Sequence, residues 1–388
     1  MATVPQRPQA GIFRGYKGLK LRENLAGYAF IAPALLIITV FGFFPILYSI
    51  YMSITNWRPG RITFVGIANF SKAIGDWVGL LLFLVGIGFF VLAYWVWNYA
   101  LRSSSNRRLV IGVIIALVLI AGGYILTIGW ERMIEAGDTR FLNSLPITLF
   151  YSIGTVPLEL VLGLGLAYIL FQKIRGQEIF RMLYFLPYIT PSVATAVVFR
   201  DFFSQEKFSV ANQLLDLFGI PAKKWLFESR PFNNVMFGLN LEGFLAGPSM
   251  ALVAIIIYGI WTFVGYNVVV FLAGLGSIPK ETYEAAEIDG ANQWQMFRHV
   301  TMPLISPVTF YLALVAFIGT FKAFNHLYVM RSPNALGTTD VASIAIFDTF
   351  YKKADYSPAA AQAIILFLII AALTFIQNKL LGEKVFYD

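Results

Sequence analysis

The residue types that suggest a function are concentrated in one polar segment, 277–303, between two long apolar stretches. Pro279 suits the first turn of a helix, and residues 280–289 are mostly good helix formers. Gly290 stands where a helix with a left-handed C-terminal cap favours glycine. A second helical stretch is expected over residues 291–300. The segment is therefore predicted to form a helix, a glycine turn and a second helix.

The side chains of this segment are suited to binding another protein. Ala285, Ala286 and Gly290 are small enough to let a partner come close. Larger apolar groups that would fill a groove on the partner are Tyr283, Met296 and Phe297. The alternative is an amphipathic helix that only anchors the loop to the lipid surface.

The composition places this segment in a membrane protein. The 388 residues are 58% hydrophobic and 13% charged, whereas soluble domains are about 45–50% apolar and about 25% charged. The chain has no Cys and only two His, which leaves little material for a disulfide framework or a metal site. The net charge of +8 does not indicate nucleic acid as a partner, because the basic residues lie between apolar blocks rather than on one basic face. No catalytic residue, metal site or cofactor is predicted.

Eight apolar windows are each long enough to cross the hydrocarbon core, which takes about 20 helical residues. They do not alternate in polarity as the strands of a membrane barrel do. The predicted fold class is therefore all-α, a polytopic transmembrane helical bundle. The eight predicted spans are Tyr28–Tyr51, Trp77–Leu101, Leu109–Trp130, Leu145–Phe171, Met182–Phe199, Ser249–Leu275, Leu304–Phe321 and Pro358–Asn378.

The basic residues predict the orientation of the bundle. An even number of spans puts both termini on one side. If that side is cytoplasmic, lysine and arginine are denser in the inner segments and lie close to the span ends, as membrane proteins favour. Both termini are therefore predicted to be cytoplasmic. The first apolar block is too long for a signal peptide and is read as a retained span.

The order of residues in segment 277–303 carries a family resemblance. Glu284-Ala285-Ala286, then Asp289-Gly290-Ala291, Phe297 and the ending at Met302-Pro303 resemble the EAA loop of ATP-binding-cassette import permeases. Two further stretches, Arg175 to Pro191 and Phe321 to Tyr328, are similar to carbohydrate-type permeases of the maltose and glycerol-phosphate kind. One departure is Arg331-Ser-Pro-Asn334, where the family has Thr-Gly-Gly-Pro.

The resemblance implies an organisation. Residues 1–27 would be a cytoplasmic segment, 28–140 the first span plus two additional spans, and 141–388 a six-span permease core. Within that core, the cytoplasmic EAA loop would occupy 276–303. The residues expected to couple this loop to an ATPase are Glu284, Ala285, Ala286, Asp289, Gly290, Phe297 and Pro303.

The resemblance also implies partners. The chain has no Gly-x-x-x-x-Gly-Lys-Ser/Thr sequence, so it does not bind ATP through a P-loop of its own. The implied partners are a second homologous permease subunit, a homodimeric ATP-binding-cassette ATPase and an extracytoplasmic solute-binding protein. The implied location is a bacterial or archaeal cytoplasmic membrane.

A sugar path needs aromatic faces together with hydroxyl or amide groups. On span six these are Tyr258, Trp261, Thr262, Tyr266 and Asn267, several of which are three or four residues apart and are expected to form one stripe. Asn325 is the polar candidate at the outer end of span seven. Weaker candidates are Tyr151, Thr155, Tyr188 and Thr190. The alternative is that the aromatic residues pack against neighbouring helices.

Glu159 is an acid in the middle of a predicted span. Intramembrane carboxylates are costly and normally face the bundle interior or water. Lys322 differs from it in depth by roughly 15 Å, so a direct ion pair is not expected. A hydrogen-bonded acid at a helix contact is the favoured interpretation.

Two other classes of protein stay open at this point. In a proton- or ion-coupled secondary transporter, Glu159 would carry the coupling. A membrane-embedded enzyme would need paired carboxylates, and Asp201, Glu206, Glu228 and Asp289 do not converge by spacing.

Overall fold

The computed structural model describes residues 16–58, 60–100, 105–172 and 176–382. Several basic residues used to predict the orientation lie outside these ranges: Arg7, Arg14, Arg102, Lys173, Arg175 and Lys384.

The first third of the chain contains one long span, a small β-hairpin and a pair of helices. Its elements are α1 (Tyr16–Ile38), a π-helical turn (Thr39–Phe43), α2 (Phe44–Ser53), β1 (Thr55–Arg58), β2 (Arg61–Phe64), α3 (Ala68–Ile74), α4 (Trp77–Ala100) and α5 (Ser105–Ala136).

The remainder is also helical. Its helices are α6 (Thr139–Phe171), α7 (Gln177–Ile189), α8 (Ser192–Phe202), α9 (Val210–Asp216), α10 (Phe232–Phe237), α11 (Met250–Ser277), α12 (Lys280–Ile288), α13 (Gln293–Met296), α14 (Met302–Leu304), α15 (Ser306–Phe321), α16 (Asn325–Met330), α17 (Ala342–Phe347) and α18 (Tyr356–Gly382). Short 3₁₀ turns occupy Trp225–Phe227, Gly243–Ala246 and Pro333–Ala335, and π-helical turns occupy Phe297–Thr301 and Asp348–Lys352.

Six of the described helices are long and apolar enough to cross a membrane, and two bent pairs raise the number to eight. The predicted number of spans and the helical-bundle fold class are confirmed. Span five, predicted as one helix over Met182–Phe199, is instead α7 and α8 bent by 95°. The bend falls at Thr190 and Pro191, because the residue before a proline disfavours helical backbone. The last spans differ only at their ends: the seventh begins at Ser306, after a 62° bend.

Helix α11 is the centre of the bundle and packs against α6 and α7. The approach of α7 is so close that a Cβ atom on Gly265 would lie 1.7 Å from the carbonyl oxygen of Tyr184. Only glycine allows two backbones to meet in this way. A Cβ on Gly163 of α6 would lie 2.7 Å from the Cβ of Asn267. The three helices therefore form one tightly packed unit.

Helices α4 and α5 form the additional pair and pack mainly against each other. A Cβ on Gly129 would lie 2.5 Å from the Phe83 backbone nitrogen, which shows how closely the two helices approach. The pair joins the rest of the bundle through α3 and the start of α6, in an apolar cluster that includes Ile74, Met133 and Leu142. The rest of its large apolar surface is exposed, as suits contact with lipid.

The hairpin of β1 and β2 departs from a purely helical fold, and no strand was predicted. Asn69, which is buried, fixes its base: the Asn69 Nδ2 donates to the carbonyl oxygens of Ser53 and Thr55, both at 2.9 Å. The Trp57 backbone N–H donates to Ser357 Oγ at 2.8 Å. These bonds join the end of the first span to the start of the last one.

An ion-pair cluster closes one end of the bundle around Asp348, whose side chain is 1% exposed. Arg331 Nη1 lies 3.2 Å from Asp348 Oδ2, and Lys352 Nζ lies 2.9 Å from Oδ1. Arg140, near the start of α6, binds both Asp348 and Asp340, the latter at 2.7 Å. Burial alone would raise the pKa of Asp348. Hydrogen bonds from Lys352 and Arg331, together with the charges of Arg331 and Arg140, outweigh burial and hold that pKa below its ordinary value.

Candidate coupling surface and substrate-facing site

The turn at the end of α12 is built by Gly290. Its φ of +80° is left-handed, and its backbone N–H donates to Glu287 O at 3.0 Å. The backbone N–H of Ala291 donates to Ala286 O, also at 3.0 Å. This pair of bonds is the Schellman arrangement, in which glycine avoids the cost of a Cβ atom. The predicted glycine turn is confirmed.

The second helix of the loop begins two residues later than predicted. The Asn292 side chain accepts a hydrogen bond from the Gln295 backbone N–H at 2.9 Å, and the Gln295 side chain accepts one from the Asn292 backbone N–H at 2.8 Å. This capping box makes Gln293, not Ala291, the first residue of α13. The helix does not continue to Val300 as an α-helix, because a π-helical turn begins at Phe297.

Three apolar side chains of the loop point into the protein. Met296 is buried, and the Phe297 ring meets the Tyr168 ring of α6 edge-on at 4.8 Å. The Tyr283 hydroxyl and Thr301 Oγ1 are hydrogen bonded at 3.2 Å. The expectation that these three side chains fill a partner's groove is therefore wrong. Met296 is buried within the protein, and Tyr283 and Phe297 attach the loop to α6 and to the cluster where α11 meets α15.

The outward surface of the loop carries acids and two large apolar side chains. Ile288 is 86% exposed and Trp294 is 65% exposed. Exposed residues of the predicted coupling set are Glu284, Ala285, Asp289 and Gly290, whereas Ala286, Phe297 and Pro303 are half-buried. In the described part of the loop, none of the acids makes an ion pair. Ile288 and Trp294 were missed because α12 and α13 turn them outward only once the glycine turn has formed.

Three predicted substrate-path residues of span six are buried in this conformation. The Tyr258 hydroxyl donates to Ser192 O at 3.0 Å, and Thr262 Oγ1 donates to Tyr258 O at 3.0 Å. Asn267 lies half a helical turn from Tyr258, since nine residues turn an α-helix by about 900°. Because neighbouring helices cover these sides of α11, the expectation that Tyr258 and Thr262 line a cavity is wrong for this conformation, and Asn267 is covered as well.

An exposed group of aromatic side chains forms elsewhere on the same helix. The Tyr266 ring stacks on that of Tyr188 from α7, at 4.9 Å and 26°. Tyr311 of α15 is 52% exposed and its side chain neighbours that of Tyr266. Trp261 is also exposed and lines a groove of about 570 Å³ between α6, α7 and α11. Tyr188, Tyr266 and Tyr311 are called the tyrosine triad below.

The tyrosine triad lies within the candidate membrane spans, away from their ends. Tyr266 is eleven residues from the C-terminal end of α11, and Tyr188 is eleven residues from the start of α7. Each is therefore roughly 16 Å along its helix from that end. Tyr311 was not predicted as a substrate-path residue, although a hydroxyl group in an apolar span could have indicated one.

Asn325 does not join this group. It is exposed at the first residue of α16, fourteen residues beyond Tyr311, or roughly 20 Å by helical rise. Glu159 is buried beside Asn267 at the contact of α6 with α11, and within the described residues its Oε2 has no hydrogen-bond partner. Lys322 is exposed at the end of α15.

Comparison with known proteins agrees with this architecture. Residues 159–387 match the family described as binding-protein-dependent transport system inner membrane component. The arabinooligosaccharides transport system permease protein AraP of Bacillus subtilis is 27% identical, over 98% of this chain and 96% of that protein. The inner membrane ABC transporter permease protein YcjO of Escherichia coli is 31% identical, over 62% of this chain and 75% of that protein.

A solved structure shares the fold. It is a chain of a bacterial alginate ABC transporter in complex with an alginate pentasaccharide-bound periplasmic protein. The sequences are 21% identical, the TM-score is 0.53, and the match covers 71% of this chain and 94% of that one. At this level of sequence identity, the similarity shows the fold alone.

Proposed function

Because this chain belongs to the family of binding-protein-dependent transport system inner membrane components, we propose that it is one of two permease subunits that form the path for a sugar or oligosaccharide. In this proposal a solute-binding protein delivers the sugar at the outer face, and a separate dimeric ATPase docks at the inner face. Both termini are then cytoplasmic. The relative AraP is named as an arabinooligosaccharide permease, which supports the substrate class.

The tyrosine triad is the proposed sugar-contacting site. Three tyrosine side chains from three different helices come together, and those of Tyr188 and Tyr311 are exposed. Hydrocarbon offers no hydrogen-bond partner to a hydroxyl group, so such a group is costly against lipid. A sugar fits both halves of the site, because its C–H faces pack on aromatic rings and its hydroxyl groups bond to tyrosine hydroxyls. This cluster of tyrosine side chains is the observation that supports a sugar as the substrate.

The exposed side of α12 and α13 is the proposed ATPase-docking surface. Ile288 and Trp294 provide apolar anchors, and Glu284 and Asp289 provide acids for basic groups of the partner. The inward side supports this role, because Phe297 and Tyr283 tie the loop to the helices on either side of the sugar path. Movement of the docked ATPase is then passed to α6, α11 and α15.

Sugar uptake tests the tyrosine triad. Tyr311→Ala and Tyr266→Ala are expected to lower uptake of labelled oligosaccharide at least tenfold in proteoliposomes that contain the complete importer, since each removes a ring and a hydroxyl group. Tyr351→Ala is a matched control, because Tyr351 is a well-exposed tyrosine outside the triad. Wild-type uptake by both triad variants would contradict the proposed site.

Co-purification tests the docking surface. Glu284→Lys is expected to abolish uptake and release the ATPase, because it reverses a charge at the interface while the protein stays in the membrane. Glu206→Lys, an exposed acid of the outer side, is the control with the same charge change. Uptake that survives loss of the ATPase and collapses with the proton gradient would instead favour a secondary transporter.

A further inference from the structure

The β1–β2 hairpin has one apolar and one polar face. Residues that pair directly across an antiparallel ribbon project on the same side, so the register assigns each pair to a face. The apolar face consists of Thr55, Trp57, Ile62 and Phe64, and the polar face of Asn56, Arg58, Arg61 and Thr63.

The hairpin is held where two spans end. Helix α2 ends at Ser53, and α18 begins at Tyr356. The Trp57 ring meets the Tyr356 ring edge-on at 5.2 Å. Tryptophan and tyrosine are enriched at the membrane–water interface. The hairpin is thus fixed, by this contact and by the bonds from Asn69 and to Ser357, at the ends of two spans. The proposed orientation makes this the outer boundary of the hydrocarbon layer.

Two residues of the apolar face, Ile62 and Phe64, are uncovered. Phe64 is 75% exposed, and Ile62 and the nearby Ile67 are also exposed. These side chains lie next to the ends of two spans. The apolar surroundings that they can contact are therefore the hydrocarbon at the boundary of the outer leaflet. The opposite face then points into the headgroup layer, which is about 5–7 Å thick on each side of the bilayer.

Two arginines stand side by side on that opposite face. Arg58 and Arg61 are directly paired in the register, and like charges placed opposite each other destabilise a ribbon. In the described ranges neither guanidinium makes an ion pair. A phosphate group relieves the repulsion, because arginine binds phosphate through two parallel hydrogen bonds.

We propose that the hairpin is a phospholipid-binding finger. Its apolar face rests in the outer leaflet, and Arg58 and Arg61 together bind the phosphate of a lipid headgroup. The finger thereby fixes the ends of the first and last spans relative to the membrane surface. The proposal does not depend on which solute is carried.

Spin labels test the orientation of the hairpin. The chain has no cysteine, so Phe64→Cys and Thr63→Cys each give one labelling site on opposite faces. In nanodiscs of phosphatidylcholine and phosphatidylglycerol, the label at residue 64 is expected to be relaxed mainly by oxygen and protected from a water-soluble nickel chelate. The label at residue 63 is expected to show the reverse. Equal accessibility of both labels to the nickel chelate would overturn the proposal.

Thermal unfolding in detergent tests the phosphate contact. Added phosphatidylglycerol is expected to raise the unfolding temperature of the wild type, and Arg58→Gln/Arg61→Gln is expected to lose at least half of that rise. The control Lys207→Gln/Lys224→Gln removes the same charge from the outer segment between α8 and α11 and is expected to keep the full rise. A full rise in the arginine variant overturns the proposal.

Two further measurements on the same proteins have fixed meanings. An equal rise in the unfolding temperature of the wild type with inorganic phosphate would overturn binding of lipid. In a pull-down with the solute-binding protein, loss of binding by the arginine variant, together with an unchanged lipid response, would assign the arginines to a protein interface and also overturn the proposal. Because the labelling experiment keeps both arginines, it stays decisive even where the double variant does not fold.

Discussion

The loop of α12 and α13 and the cluster around Asp348 differ in how their acids are paired. In the cluster, Asp348 is buried among Arg140, Arg331 and Lys352. In the loop, Glu284 and Asp289 are exposed, and in the described chain they have no ion pair. The cluster pairs Asp348 within one chain. The loop leaves its acids available to a partner.

The difference predicts separable effects of mutation. Changes at the loop of α12 and α13 should affect transport and leave the stability of the protein nearly unchanged. Changes at the Asp348 cluster should affect stability first, since they remove contacts between segments of the same chain.

The largest effect is expected at Gly290. Proline has φ near −65° and no N–H group, whereas Gly290 has φ +80° and donates to Glu287 O. Gly290→Pro should therefore abolish sugar uptake while the amount of protein in the membrane stays normal. Gly290→Asn is the control, because asparagine tolerates left-handed backbone, and it should keep most of the uptake. Normal uptake by Gly290→Pro would remove the loop from the coupling mechanism.

A smaller effect, on stability, is expected at Asp348. Asp348→Asn leaves three cations without their shared partner, and breaking a buried pair costs about 3–5 kcal/mol. Because the cations are partly exposed, a loss of about 2–3 kcal/mol in the free energy of unfolding is expected. Asp355→Asn, at an exposed acid just beyond the cluster, should change it by less than about 0.5 kcal/mol. Equal unfolding temperatures for the two variants would show that the cluster contributes nothing.

The smallest effect is expected from mild acid. Some carboxyl groups have a lower pKa in the folded protein than in the unfolded chain. Such a group stabilises the folded protein at any pH above its pKa in the unfolded chain. This stabilisation is lost as the pH falls through the pKa of the group in the folded protein. The pKa of Asp348 is lowered, and an unperturbed aspartate has a pKa of about 3.9. The contribution of Asp348 should be constant from pH 8 to about pH 5 and decline below about pH 4.

Scanning calorimetry of the wild type and Asp348→Asn across this pH range would measure that contribution as the difference between the two. A difference that already shrinks between pH 7 and pH 6 would contradict the lowered pKa.

The parts of the fold that depend on local signals could be predicted from the sequence. The span count follows from apolar length, and the turn at Gly290 follows from the backbone freedom of glycine. The capping box of Asn292 and Gln295 and the break at Pro191 are local signals too, but they were overlooked. Pro59-Gly60 is another local signal that was overlooked, since it separates two short runs of residues that favour strands.

Features that join distant segments could not be predicted in this way. Arg140 meets Asp348 across about two hundred residues, and the tyrosine triad draws on three helices. The aromatic residues of span six illustrate the limit. Their spacing gives their angles around α11, but which side of α11 stays open depends on where α6, α7 and α8 pack.

The contact of α7 with Gly265 has a mechanical consequence. With backbone resting on backbone, the first half of span five has no side-chain layer over which to slide. Helix α8 is attached to α11 as well, because the Tyr258 hydroxyl donates to Ser192 O at 3.0 Å. Both halves of span five should therefore move with α11 as one body, and a bulky residue at position 265 would separate the first half from it.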